Sequence, residues 1–228
     1  DLEFLKPWKS KADVSFILEE KNEDTVVTWT MDSSLPWFLF WMKSSMEGFI
    51  GLDYERGLLM LKDYCELGKI RSKLEFRGVE NFEGCSFIGI RNSSSLAEID
   101  KTMENDFLKL EQYIQGKYEI NGEPFSQYHK WNIKNMRAIY TIGFPVTESS
   151  IKVEKDFVYG KLPQTKVHKI IHYGPYDFLG GAWSAQESMA RGKAFKKNKS
   201  VHPFEIYLND PSKVDKDNLI TAVCFPMK

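Results

Sequence analysis

Two short stretches of this chain place a carboxylate, a hydroxyl and two phenols where they could act together. Pro203-Phe204-Glu205-Ile206-Tyr207 and Pro124-Phe125-Ser126-Gln127-Tyr128 follow the same pattern. Side chains of a strand alternate faces with a period of two. Glu205 and Tyr207 therefore share one face of their strand, and Ser126 and Tyr128 share the corresponding face of theirs. Phe204, Ile206 and Leu208 share the opposite face, which is apolar and is expected to pack on the helices. A carboxylate among aromatic rings has two chemistries. It can neutralise a lipophilic cation, to which the rings add a cation–π attraction of ~0.5–2 kcal/mol. Burial also raises its pKa, and a raised carboxyl suits a general acid or base. A third reading is bland: the polar face of an arbitrary strand is more often simply wet.

Both stretches lead to matching tails, Ile142-Gly143-Phe144-Pro145-Val146 and Val223-Cys224-Phe225-Pro226-Met227. The opening prolines, 124 and 203, are 79 residues apart, and the closing ones, 145 and 226, are 81 apart. Spacing that drifts by only two residues, as a small difference in the connecting loop would produce, reads as an internal duplication, with Ser126 standing where the second copy has Glu205. In the first unit, 85–90 is a strand and Ser95-Leu96-Ala97-Glu98 a capping box. Leu96, Ile99, Met103, Phe107, Leu110 and Ile114 then recur at helical spacing. Strands near 125–131 and 137–145 follow. In the second, 166–173 is a strand and Gly174-Pro175 a turn. A helix runs from Tyr176 to about residue 191, with Leu179, Trp183, Gln186 and Ala190 along it, followed by strands near 204–208 and 219–226. Each unit is strand–helix–strand–strand, so the class is α+β.

The chain has 228 residues and a net charge of −1, so it carries no electrostatic footprint for nucleic acid. The basic run at 193–199 reads as a solvated loop. Cys65, Cys85 and Cys224 form no C-x-x-C pair and read as reduced thiols of a cytoplasmic protein. The chain opens on Asp1, so a signal or anchor ahead of it stays an open alternative. The apolar stretch 35–41 is too short to span a membrane. His168 and His172 share a strand face but stand ~13 Å apart, too far to chelate one ion. His129 and His202 lie in no ligand pattern. No metal and no cofactor are expected, and phosphate-cradling or serine-hydrolase motifs are absent.

Residues 1–70 read as strands in 1–33, a helix from Pro36 to about residue 49, and a second helical segment capped by Asp53 and stopped by Gly68. Phe4-Leu5-Lys6-Pro7-Trp8, Thr28-Trp29-Thr30-Met31 and Gly51-Leu52-Asp53-Tyr54-Glu55-Arg56-Gly57-Leu58 resemble the C-terminal half of the SRPBCC (START-like, polyketide-cyclase-like) family. That resemblance implies a curved antiparallel sheet against a long helix, here as a partial, helix-grip-like remnant. Its open sheet edge could support self-association. After a charged connector at 69–79, the remainder resembles the GyrI-like small-molecule-binding domain, which also serves as the effector-binding part of bacterial transcription activators. His172-Tyr173-Gly174-Pro175-Tyr176, Ala182-Trp183, Phe204-Glu205-Ile206-Tyr207-Leu208-Asn209-Asp210-Pro211 and Phe225-Pro226 carry the likeness.

The implied domains are 1–70 and 71–228, the latter built of units at about 71–148 and 160–228. The GyrI-like resemblance implies that the two units pair about a pseudo-twofold axis. It also implies a ligand groove between them, with Glu205 as its main acidic residue. Tyr207, Tyr128 and Ser126 would line it, Tyr176 would reach its mouth, and Trp183 would serve either core or pocket. It implies binding of aromatic or lipophilic-cation ligands for sensing or sequestration. The alternative is hydrolysis of electrophilic xenobiotics, with Glu205 as base and Tyr207 or Tyr128 orienting the substrate. The partner expected is a small molecule, not a nucleic acid.

Overall fold

The strands that carry Ser126 and Glu205 are neighbours at the middle of an eight-stranded antiparallel sheet in the computed structural model of the chain. The structure describes residues 1–4, 10–147 and 151–228, and these form two units, Asp1–Ile70 and Arg71–Lys228.

In the first unit, β1 (Leu2–Phe4), β2 (Ser10–Lys21) and β3 (Asp24–Ser33) form a three-stranded antiparallel sheet in that order. Leu5 to Trp8, part of the SRPBCC-like wording, lie outside the described residues. Pro36 opens a 3-10 turn over Trp37–Met42, and a single helix α1 (Lys43–Leu67) follows. The expected break at Asp53 does not occur: the carboxylate sits mid-helix and pairs with Arg56 instead of capping. Gly68, at φ 68°, ends the helix as its position predicts. Gly57 is there for space. A Cβ at that position would stand 2.7 Å from the ring of Trp29, which itself stacks on Tyr54 at 3.9 Å.

The second unit runs β4 (Lys73–Phe82), β5 (Cys85–Ser95), α2 (Ile99–Ile114), β6 (Phe125–Asn132), β7 (Arg137–Val146), β8 (Val158–Leu162), β9 (Thr165–Tyr173), α3 (Gly180–Arg191), β10 (Phe204–Tyr207) and β11 (Ile220–Met227). The sheet order is β4-β9-β11-β10-β6-β7-β5-β8. Its halves mirror each other about the β10–β6 seam: β10 answers β6, β11 answers β7, β9 answers β5, and β4 answers β8. Two of these strands are additions to the sequence reading. β4 occupies the charged connector, and its charges serve pairing across the strands. Lys169 reaches Glu80 at 3.0 Å and the Tyr173 hydroxyl reaches Glu75 at 2.8 Å. Each edge strand lies on the other half: β4 pairs with β9 and β8 with β5.

The helices cover one side of this sheet. Met103, Leu110 and Ile114 of α2 pack with Ile88, Ile90, Tyr140 and Ile142. Ala182 of α3, with Leu179 just before it, packs with Ile170, Val223 and Phe225. On the other side, Phe204 packs with Val167, Ala222 and Cys224, and Phe125 with Phe87 and Leu162. Phe82, from one end of the strand order, meets both clusters and lies 4.8 Å from Phe204. The sheet therefore curls until its ends close over its helix-free side. That closure corrects the expected packing. Phe204 and Ile206 face the curled interior, and it is the face of Glu205 that meets the helices.

Two local readings also change. Ser95 ends β5 and donates its hydroxyl to Glu98 at 2.9 Å, while Glu98 holds the N-cap position of α2 without a side-chain cap. The expected helix at Tyr176 begins as a 3-10 turn, Tyr176–Phe178, before α3. Gly174, at φ 121°, permits the turn out of β9, since a Cβ there would stand 1.9 Å from the Arg71 carbonyl oxygen.

Candidate functional site

Strand register makes the site. Ser126 of β6 lies directly opposite Glu205 of β10, and directly opposed residues point to the same side of a sheet. Tyr128 and Tyr207 follow two residues on along each strand. The four side chains thus converge beneath α2 and α3.

Glu205 is buried, with 3% of its surface exposed, and Ser126 is fully buried. Both carboxylate oxygens are engaged. Trp183 Nε1–H donates to Oε1 at 2.5 Å. The Tyr128 hydroxyl donates to Oε2 at 2.9 Å, and the Tyr207 hydroxyl lies 3.0 Å from the same oxygen. Tyr207 is also 2.9 Å from Ser126 Oγ. A phenol has one proton, so when Tyr207 donates to Glu205, Ser126 can donate to Tyr207, and the chain of bonds reinforces itself.

Rings enclose this carboxylate. Trp183 crosses Tyr128 edge-on at 5.1 Å, and Phe107 of α2 crosses Tyr207 at 5.6 Å. Tyr176 crosses Tyr207 at 5.9 Å and, at 37% exposure, is the member of this group most open to solvent. Met103 Sδ lies 3.8 Å from the Tyr128 hydroxyl.

Burial pushes the Glu205 carboxyl above the usual carboxylate range. Hydrogen bonds from Trp183, Tyr128 and Tyr207 pull the other way without reversing it, and the charge of Asp100 adds to the rise. Burial, followed by the charge of Glu205, holds Tyr128 and Tyr207 well above the usual phenol range. Tyr176 is raised to about 12 by burial and by Glu205 and Asp210. All three phenols are therefore protonated donors at neutral pH. Among the described residues, no Lys or Arg forms an ion pair with Glu205; its charge is met by neutral donors alone.

Glu205, Tyr207, Tyr128, Ser126 and Trp183 come together directly, and Tyr176 joins them through Tyr207. Trp183 does two jobs. Its nitrogen holds Glu205 while its ring packs 5.2 Å from Phe225. Met103 and Phe107 are members that sequence reasoning assigned to the helix core. Their i, i+4 spacing could have flagged them only if the side of the sheet that α2 covers had been known. His168 shares the helix face but is committed to Gln186 at 2.7 Å and stacks on Phe195. Among the described residues, no group of three His, Cys, Asp or Glu side chains could hold a metal ion. Among the described residues, no helix is long and apolar enough to cross a membrane.

Comparison with known proteins gives fold and little more. No family model matches the chain, and no curated protein matches it. Solved structures do. The EcmrR–DNA complex in EcmrR-RPo aligns with a TM-score of 0.58 at 16% identity, over 86% of this chain and 73% of that one. The EcmrR C-terminal domain aligns at 0.57 and 17% identity, over 69% and 98%. SAV2435, in a structure bound to tetraphenylphosphonium, aligns at 0.51 and 15% identity, over 68% and 94%. The α+β fold is thus shared with the EcmrR C-terminal domain and with SAV2435. The SRPBCC likeness of residues 1–70 finds no support in these comparisons.

Proposed function

We propose that residues 71–228 form a small-molecule-binding domain whose ligand is a lipophilic, aromatic cation neutralised by Glu205, serving sensing or sequestration. The observation that carries this reading is the buried carboxylate itself. It is held ready by Trp183, Tyr128 and Tyr207, it sits among aromatic rings, and it has no basic partner among the described residues. An uncompensated buried charge is costly. A cation that sheds water against the surrounding rings removes that cost and gains cation–π attraction of ~0.5–2 kcal/mol. The fold shared with SAV2435, which holds tetraphenylphosphonium in its structure, supports the same class of ligand.

Isothermal titration of the full chain with tetraphenylphosphonium tests the proposal. Binding is expected at micromolar concentrations, and Glu205→Gln should weaken it by about 100-fold, the loss of a desolvated charge pair. Absence of binding to tetraphenylphosphonium, rhodamine 6G and ethidium alike would overturn it.

A hydrolytic reading has one observation in its favour, the raised Glu205 carboxyl, which suits a general base. In it Glu205 activates water while Tyr207 or Tyr128 orients an electrophilic substrate. Three donors already fill most of the acceptor sites of the carboxylate, which leaves little for an attacking water. Binding is therefore the better supported of the two. Chemical turnover of an electrophilic aromatic compound, lost in Glu205→Gln, would reverse that preference.

A further inference from the structure

A buried polar atom without a partner keeps the cost of leaving water with nothing to offset it, so each such atom calls for an explanation. Among the described residues, the buried side-chain atoms without one are Trp29 Nε1, His172 Nδ1 and Thr221 Oγ1. The last two belong to one place. The register sets His172 of β9 opposite Thr221 of β11, and Thr221 opposite Tyr207 of β10. All three therefore point to the helix side of the sheet, the side of Glu205. His172 and Thr221 are both fully buried. The other ring nitrogen of His172, Nε2, is occupied 3.1 Å from Ser72 Oγ. Tyr176, beyond the turn that follows β9, lies against Tyr207, the residue that Thr221 faces across the strands. From Glu205, Thr221 is one strand across and two residues along, about 8 Å in the plane of the sheet.

We propose that His172 and Thr221 form a polar subsite of the same groove, which takes a hydroxyl carried on one arm of the cation. This rests on the lipophilic-cation reading of Glu205 and names the feature that would distinguish the preferred ligand. A hydroxyl suits the pair because it donates once and also accepts. If His172 Nδ1 is the acceptor, the ligand donates to it and accepts from Thr221; in the other tautomer the directions reverse. A hydrocarbon arm satisfies neither atom, so discrimination of about tenfold is expected.

The test titrates the full chain with tetraphenylphosphonium and with (4-hydroxyphenyl)triphenylphosphonium. The wild type should prefer the hydroxylated cation by about tenfold, and Thr221→Val should bring the two affinities together. Valine matches threonine in shape and removes a hydroxyl that has no bond to lose, so the melting temperature of the variant should hold or rise. Equal affinity of the wild type for both cations would overturn the subsite and leave the role of Glu205 standing. A preference that survives in Thr221→Val would also overturn it. So would a melting temperature several degrees lower in that variant, which would assign the pair to an internal water. If neither cation binds, the reading of Glu205 fails and the subsite fails with it.

Discussion

The two halves of the eight-stranded sheet follow one plan and differ where it matters. β6 brings Ser126 and Tyr128 to the seam, and β10 brings Glu205 and Tyr207. The phenols are alike in both halves, and the acidic position is not. Because Ser126 and Glu205 face each other directly, strict symmetry would set two carboxyls side by side under the helices. Two such groups at contact distance cannot both ionise. Serine in one half spares Glu205 that repulsion, and its hydroxyl completes the chain through Tyr207. The helices differ as well. α3 contributes Trp183, which donates to the carboxylate, whereas α2 contributes Phe107, which packs on Tyr207, and Met103, whose sulfur is a weak acceptor beside the Tyr128 hydroxyl. One half holds the charge and the other insulates it.

Removing the charge should erase the difference most completely. Glu205→Gln is expected to weaken tetraphenylphosphonium binding by about 100-fold. It should also raise stability at neutral pH, and the sign follows from proton linkage. The Glu205 carboxyl titrates higher in the folded chain than in the unfolded one. The stability it contributes is present below the unfolded pKa and is lost as pH rises through the folded pKa. A neutral amide escapes that loss, so a melting curve at pH 7 should shift upward in the variant, while near pH 4 the two proteins should converge. Cation affinity of the wild type should follow the ionised form and decline at a pH above the ordinary carboxylate range.

Forcing symmetry is the second perturbation. Ser126→Asp sets a second carboxyl opposite Glu205 and should cost about 3 kcal/mol or more of unfolding free energy at pH 7. Urea denaturation at pH 5 should recover part of that, because one carboxyl then keeps its proton. An unchanged midpoint at pH 7 would mean that the two side chains do not meet. Trp183→Phe removes the donor to Oε1 and should cost about 2 kcal/mol, as for a hydrogen bond to a charged group. It should also move the pH at which half the binding is lost further upward. The smallest effect is expected at the rim. Tyr176→Leu should weaken cation binding by about 1 kcal/mol or less with little change in melting temperature.

Strand parity, read from residues alone, was enough to put Glu205 with Tyr207 and Ser126 with Tyr128. It could not say which side of the sheet the helices take, because parity separates two faces without labelling them. The label comes from Phe82, Leu162 and their neighbours closing over the far side, a long-range event with no local signature. β4 hid for a related reason. Lys73, Glu75 and Glu80 look like a solvated connector until β9 supplies Tyr173 and Lys169 as their partners, while Arg77 bridges Glu75 and Glu80 along β4 itself. β8 is only five residues long, with Gly160 at its centre beneath the Phe87 ring. Asp53 misled because aspartate before a periodic stretch is a common cap, and here the apolar pattern runs straight through it.

The exchanged edge strands have a consequence in time. The partners of Glu80 and Glu75 on β9 lie 89 and 98 residues further along the chain. A ribosome adding about 5–20 residues per second leaves β4 without its neighbour for roughly 5–20 seconds. During that interval the half that was made first presents an unpaired edge. It can close only when the second half arrives, so neither half can finish folding alone. The β10–β6 seam is therefore among the last features of the molecule to be completed, and a truncated chain should not acquire it in part.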